Sequence, residues 1–209
     1  MGPLFADRAE AGALLAERLR GLKDPVVLAL PRGGVAVAVP VVRRIGGVLD
    51  ILVTRKIGYP AQPELGVGAI AEGGEPVFDE RLMAGLGLTR SGLEKVVERE
   101  REELRRRVRV YRGDRKLPYL TGRDVVVVDD GLATGGTARA ALRAVEAAKP
   151  GRLTLAVPVG APQTVRALRG EADELVVLAT PPDFHAVGQW YGSFEQLTDA
   201  DVLALLAQQ

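Results

Sequence analysis

Apolar positions along this chain fall into two kinds of segment. Short runs with no polar face read as strands covered on both sides: residues 25–30, 50–54, 125–128, 153–157 and 174–179. Longer stretches between them have helical spacing. Asp7 followed by Glu10 resembles a capping box that opens a helix to about Arg20, with Leu14, Leu15 and Leu19 inward and Gly21 at its end. Residues 35–44 have no polar face until their end, which predicts a buried helix closed by Gly46-Gly47. Further helices are expected over about 136–148 and 162–169, and from Thr198, with Val202, Leu205 and Leu206 inward. Strands alternating with helices predict an α/β fold: a mostly parallel open sheet with helices on both faces.

Three stretches break this rhythm. Residues 55–67, RKIGYPAQPELGV, hold two Pro, two Gly and no period, and read as a loop. A short strand at 68–71, a turn at Glu72-Gly73-Gly74 and a return at 76–78 suggest a hairpin, after which Asp79 caps a short helix to about Ala84. Thr89 or Ser91 then starts a long charged helix to about Tyr111. Its apolar stripe is thin (Leu93, Val96, Val97, Leu104, Val108, Tyr111), as expected of an arm packed on one side. Glu102/Arg106 and Glu103/Arg107 have the favourable i,i+4 order. Residues 181–194 are aromatic and irregular. The expected organisation is one domain over 1–209. Its core is about 25–75 and 119–180, with a helical insert and small hood at 76–118 and a tail at 181–209.

Composition narrows the chemistry. The 28 Lys+Arg against 27 Asp+Glu leave a net charge of +1, which excludes bulk electrostatics as a route to DNA or anionic lipid but leaves room for a local anion pocket. Arg105, Arg106, Arg107 and Arg109 form a basic cluster. Glu is interleaved through it, so a solvated face is favoured over a nucleic-acid contact. With no Cys and one His, disulfides, thiolate nucleophiles, Cys-based metal sites and His-rich clusters are excluded. No secretory signal and no apolar stretch of about 20 residues is visible, so a cytoplasmic location without a membrane partner is the expectation.

The most informative stretch is VVVVDDGLATGGT, residues 125–137. A buried strand delivers Asp129 and Asp130 to its carboxyl end, where open α/β sheets bind ligands. The turn Ala133-Thr134-Gly135-Gly136-Thr137 then enters a helix. Its unpaired amides, the helix dipole and two hydroxyls favour an anion. A phosphate cradle beside two carboxylates suits a phosphorylated sugar. A second turn, Pro31-Arg32-Gly33-Gly34, follows the first strand and offers a guanidinium fork and backbone N–H groups to phosphate oxygens.

In these motifs the chain resembles the type I phosphoribosyltransferases, whose signature is four apolar residues, two acids, then apolar, small and hydroxyl residues with a Gly-rich end. Gly131 departs from it, an apolar or small hydroxyl residue being usual there. The resemblance implies a glycosyltransferase of nucleotide metabolism. It would use 5-phosphoribosyl-1-pyrophosphate and Mg²⁺ and transfer the phosphoribosyl group to a nitrogen acceptor such as a nucleobase, with release of pyrophosphate. Asp129 and Asp130 would face the ribose hydroxyls and the metal's water shell. Residues Ala133, Thr134, Gly135, Gly136 and Thr137 would hold the 5′-phosphate, and Arg32, Gly33 and Gly34 the pyrophosphate, in a turn that often carries a strained non-proline peptide. Arg55 and Lys56 would neutralise the leaving group from a mobile loop, or else form a solvated pair. Phe184, Trp190 and Tyr191 would stack on the acceptor, or else pin the tail to the core; His185 is a candidate proton carrier. A non-catalytic sensor of the sugar diphosphate and a sugar-phosphate hydrolase are the alternatives, and a homodimer is a possible assembly.

Overall fold

The computed structural model describes residues 2–208. Its strands are β1 (Val26–Ala29), β2 (Val48–Ile51), β3 (Thr54–Tyr59), β4 (Gln62–Ala71), β5 (Val77–Phe78), β6 (Asp124–Val128), β7 (Arg152–Val159) and β8 (Glu174–Ala179). Its α-helices are α1 (Arg8–Arg18), α2 (Gly33–Ile45), α3 (Glu80–Gly85), α4 (Glu94–Arg112), α5 (Gly136–Ala147), α6 (Pro162–Leu168) and α7 (Asp199–Leu206). Five strands form a parallel sheet in the order β2-β1-β6-β7-β8, and β3-β4-β5 form a small antiparallel sheet.

The continuous apolar runs are explained by what covers each face. Val27, Ala29, Val126 and Val128 pack with Leu15, Val35 and Val41 on one side. Val26, Leu28, Val125 and Val127 pack with Ala138, Leu142, Val145 and Leu168 on the other. Side chains alternate across a strand, so both parities must be apolar when helices cover both faces. The parallel register pairs Ala29 with Val128, which brings the carboxyl ends of β1 and β6 side by side. The turn at 31–34 and the acids at 129–130 are therefore neighbours.

Residues 55–67 are not a loop. They form most of the β3–β4 hairpin, with Tyr59 paired to Gln62 at its tip. The Pro and Gly residues that suggest a loop have local explanations. Pro60 lies in the tip, and Gly58 sits at a register shift where Pro63 O leaves no room for a side chain. The second strand stops at Ile51, short of Thr54, which opens β3. Leu14 is 47 % exposed, not inward. On α4 the buried stripe includes two charged residues, Glu100 and Arg112, alongside Leu104 and Tyr111.

The tail folds back on the amino-terminal segment. Leu4 N and Phe5 N donate to Trp190 O, and Gly192 N and Ser193 N donate to Phe5 O and Ala6 O. Thr198 and Asp201 form a reciprocal cap that starts α7, with Val202 buried and Leu205 and Leu206 packed at the margin. No helix among the described residues is long and apolar enough to cross a membrane.

Candidate functional site

Strand β6 ends at the acid pair. Asp129 Oδ1 accepts from Asp130 N at 2.8 Å, and Asp130 Oδ2 accepts from Arg8 Nε at 2.8 Å. The Arg8 and Asp130 side chains are only 11 % and 15 % exposed. Burial, and for Asp129 also the charge of Asp130, pushes both carboxyls above the ordinary carboxylate range, while Arg8 opposes the rise. Tyr191 donates its hydroxyl to Asp130 O at 2.6 Å; burial, with the Asp130 charge beside it, pushes that phenol up as well. Arg8 could not be found by reading the motif, since it lies in a different helix, far away in sequence.

The turn at 31–34 packs directly on these acids. A β-carbon at Gly33 would overlap the Asp130 carboxylate, and one at Gly34 would stand 2.6 Å from Val128 O and 3.1 Å from Asp129 Cα. The Pro31–Arg32 peptide is cis. One expected donor is lost, because Gly34 N is bonded to Leu30 O at 3.0 Å. Among the described residues the amides of Arg32 and Gly33 have no protein acceptor. The Arg32 side chain is about one-third exposed, with Nη1 3.8 Å from Asp199 Oδ1. Tyr111 donates to that same Asp199 oxygen, and burial with this bond pushes its hydroxyl up to about 12.

The turn at 133–137 stands open. Gly135 adopts a left-handed conformation (φ 79°) as the N-cap of α5, where a β-carbon would also meet Thr164 Cγ2 at 2.6 Å. Thr164 holds the turn by donating to Ala133 O. Among the described residues no protein acceptor reaches the amides of Ala133, Thr134, Gly135, Gly136 or Thr137. A cleft of about 400 Å³ lies before them, lined by Lys56, Gly66, Phe78, Thr134, Gly136 and Thr137 among others. Arg32, Asp129 and Asp130 are not part of that lining. The structure thus joins the turn at 31–34 to the acids by contact, and the turn at 133–137 to the acids through the strand end, but does not merge all three in one cavity.

Arg55 and Lys56 part company. Arg55 is bonded through Nε and Nη2 to Glu100 at 2.9 and 2.8 Å, so it anchors β3 to α4. Lys56 lines the cleft, donating to Glu64 O at 2.9 Å with the Glu64 carboxylate at 3.7 Å. The aromatic tail is largely inward. Trp190 is 1 % and Tyr191 4 % exposed, packed with Phe5 and Val159, so neither offers a ring face to a base. Phe184 is half-buried beside Trp190, and His185 is exposed. Val187 fills the space over Gly131, where a β-carbon would lie 2.6 Å from Val187 Cγ1; this accounts for the missing side chain at 131. Arg105, Arg106 and Arg107 are paired with Glu98 and Glu103, which makes that face an ion-paired one.

The sequence pattern of the phosphoribosyl transferase domain matches residues 6–188. Two Mycobacterium tuberculosis proteins, provisionally named phosphoribosyl transferases, are each 46 % identical over 205 residues, covering 97 % of this chain and 46 % of theirs. The chain thus spans about half the length of the curated relatives it matches. The crystal structure of TT1426 from Thermus thermophilus superposes with a TM-score of 0.83 at 48 % identity, covering 100 % of this chain and 99 % of that one. A Neisseria gonorrhoeae protein with bound ppGpp superposes at 0.53 with 13 % identity, covering 99 % and 97 %, a likeness of fold alone. On the match over residues 6–188, the chain belongs to the phosphoribosyl transferase domain family.

Proposed function

We propose that the protein transfers the phosphoribosyl group of 5-phosphoribosyl-1-pyrophosphate to a nitrogen acceptor. The observation that carries this reading is the run of five amides at 133–137, free of protein acceptors among the described residues and a few positions beyond Asp129 and Asp130, which follow β6. A phosphate monoester fits the amides, and ribose hydroxyls fit carboxylate acceptors a short distance along the same chain.

Mg²⁺ fits the donor set. The acids offer oxygen only, and two carboxyls buried side by side are both disfavoured as anions, a condition that a hard cation relieves. Asp129 and Asp130 would hold it through water or the ribose hydroxyls. When bound, it neutralises charge on the departing diphosphate.

The chain's own residues do the rest. The C1–O bond to pyrophosphate breaks as a C1–N bond to the acceptor forms, and positive charge builds on the ribose ring. Residues 133–137 fix the 5′ end. Arg32, with its own amide and that of Gly33, grips the diphosphate oxygens. Asp129 and the second oxygen of Asp130 face the ring and stabilise its charge. Lys56, at the cleft, adds a cation.

The test is release of pyrophosphate from 5-phosphoribosyl-1-pyrophosphate and Mg²⁺ across a panel of nitrogen bases, with substrate binding followed by calorimetry. Asp129→Asn is expected to lower turnover about 10²–10³-fold while leaving the melting temperature near that of the parent. A wild-type protein that does not bind the sugar diphosphate overturns the proposal. The hydrolase reading draws on one observation, the burial of Trp190 and Tyr191, which leaves neither ring face open to a base. Pyrophosphate release that proceeds at full rate with no base present favours it.

A further inference from the structure

Arg8 is the cation in contact with the acid pair, and it is held on several sides. Nε donates to Asp130 Oδ2 at 2.8 Å. Nη1 donates to Glu195 O at 3.0 Å, and the guanidinium carbon lies 3.7 Å from the centre of the Phe194 ring. A β-carbon at Gly33 would come within 3.1 Å of Nε, so the turn at 31–34 closes another side. A guanidinium pinned in this way has little rotamer freedom left, and its planar fork imposes a direction on the carboxylate it meets.

Asp130 is correspondingly gripped at both ends. Tyr191 holds its main-chain carbonyl and Arg8 one side-chain oxygen, and the carboxyl also lies within hydrogen-bonding reach of Asp129. The two gripping residues come from the amino-terminal helix and the tail, which pair through the Phe5–Tyr191 bridge. Arg8 is 11 % exposed, with Nε committed to Asp130 and Nη1 to Glu195 O, so the nitrogen at the acid pair acts through Asp130. An ion pair this far from water is weak evidence of stabilisation, because desolvation offsets the attraction; its value lies in geometry.

We propose that Arg8 is a positioning residue, which fixes the Asp130 carboxylate beside Asp129 so that the acid pair meets the ribosyl ligand. This rests on the phosphoribosyl reading above. It extends the functional machinery to the amino-terminal helix and makes the pairing of amino terminus and tail a condition for an aligned acid pair.

The test is a double-mutant cycle on the whole chain, read as the dissociation constant of 5-phosphoribosyl-1-pyrophosphate with Mg²⁺ by calorimetry. Arg8→Gln is expected to weaken binding by about ten- to a hundredfold. In an Asp130→Asn background the same change is expected to add less than about threefold, since its target is already altered. Arg8→Lys restores the charge without the fork and should recover part of the loss; if Arg8→Gln does not fold, it takes its place in the cycle. Phe194→Leu removes one restraint on the guanidinium but leaves the ion pair, and should weaken binding clearly less than Arg8→Gln does. Equal losses for Arg8→Gln and Phe194→Leu, or a full Arg8 effect in the Asp130→Asn background, overturn the proposal and leave Arg8 as a staple of the tail. If the parent protein itself fails to bind, the phosphoribosyl reading falls and the role of Arg8 falls with it. That outcome is distinct from additivity in a protein that binds.

Discussion

Gly33 and Asp130 touch across the ends of neighbouring strands, with no room between them for a single methyl group. The glycine is demanded by this approach, since a β-carbon would overlap the carboxylate that Arg8 also holds. Gly33→Ala is therefore expected to displace the Asp130 side chain, at a cost of about 1–3 kcal/mol in stability, and to abolish tight binding of the sugar diphosphate. Urea denaturation and calorimetric titration of the same preparation check both parts. Unchanged binding would show that the acid's position does not matter.

At Gly131 the neighbour is the tail. Gly131→Val is expected to collide with Val187, whose Cγ atoms would lie 2.6 and 2.9 Å from the new β-carbon, and to lower the melting temperature. Adding Val187→Ala should recover at least about half of the loss, because the two changes share one space. Independent, additive effects in thermal melts would contradict this packing.

Arg112 lies buried between Asp50 and Glu72, donating to both carboxylates and to Ile51 O. Arg112→Met leaves two carboxylates without their cation, and is expected to cost about 3–5 kcal/mol. By contrast Glu103→Gln, on the solvent face of α4, is expected to leave the urea midpoint almost unchanged although Glu103 contacts both Arg106 and Arg107. Denaturation curves for the two variants decide the order.

Tyr111 makes stability fall in alkali. Its hydroxyl is held up to about 12 against an ordinary 10.0, through burial first and the bond to Asp199 second. The fold favours the protonated phenol, so this contribution is complete below pH 10 and is lost as pH rises from 10 to 12. Denaturation midpoints measured across that window should drop more steeply for the parent than for Tyr111→Phe. Parallel curves would remove Tyr111 as the cause.

The central sheet was legible because its strands are apolar on both faces, a pattern few other environments produce. The acid pair and the cradle were legible because one short segment carries both. Arg8 was not, since nothing local marks a partner for Asp130 that lies 122 positions away. Glu100 and Arg112 look like solvent positions on a charged helix until Arg55, Asp50 and Glu72 come to meet them. The hairpin at 54–71 was hidden by Pro60, Pro63 and Gly58, residues that punctuate loops but here serve a tip and an irregular ladder. Leu14 follows helical spacing yet is left about half exposed.

The hairpin is tied down at both of its feet. Arg55, at the start of β3, is bound to Glu100, and Glu72, just past the end of β4, is bound to Arg112. Both tethers run to α4, while the tip at Pro60 and Ala61 has no comparable mooring among the described residues. Between its feet the ribbon also rests on α5, where Ala69 and Ala71 pack against Ala140 and Ala144. Loss of either ion pair on α4 is therefore expected to reach the wall of the cleft, although that helix contributes no residue to the cleft's lining.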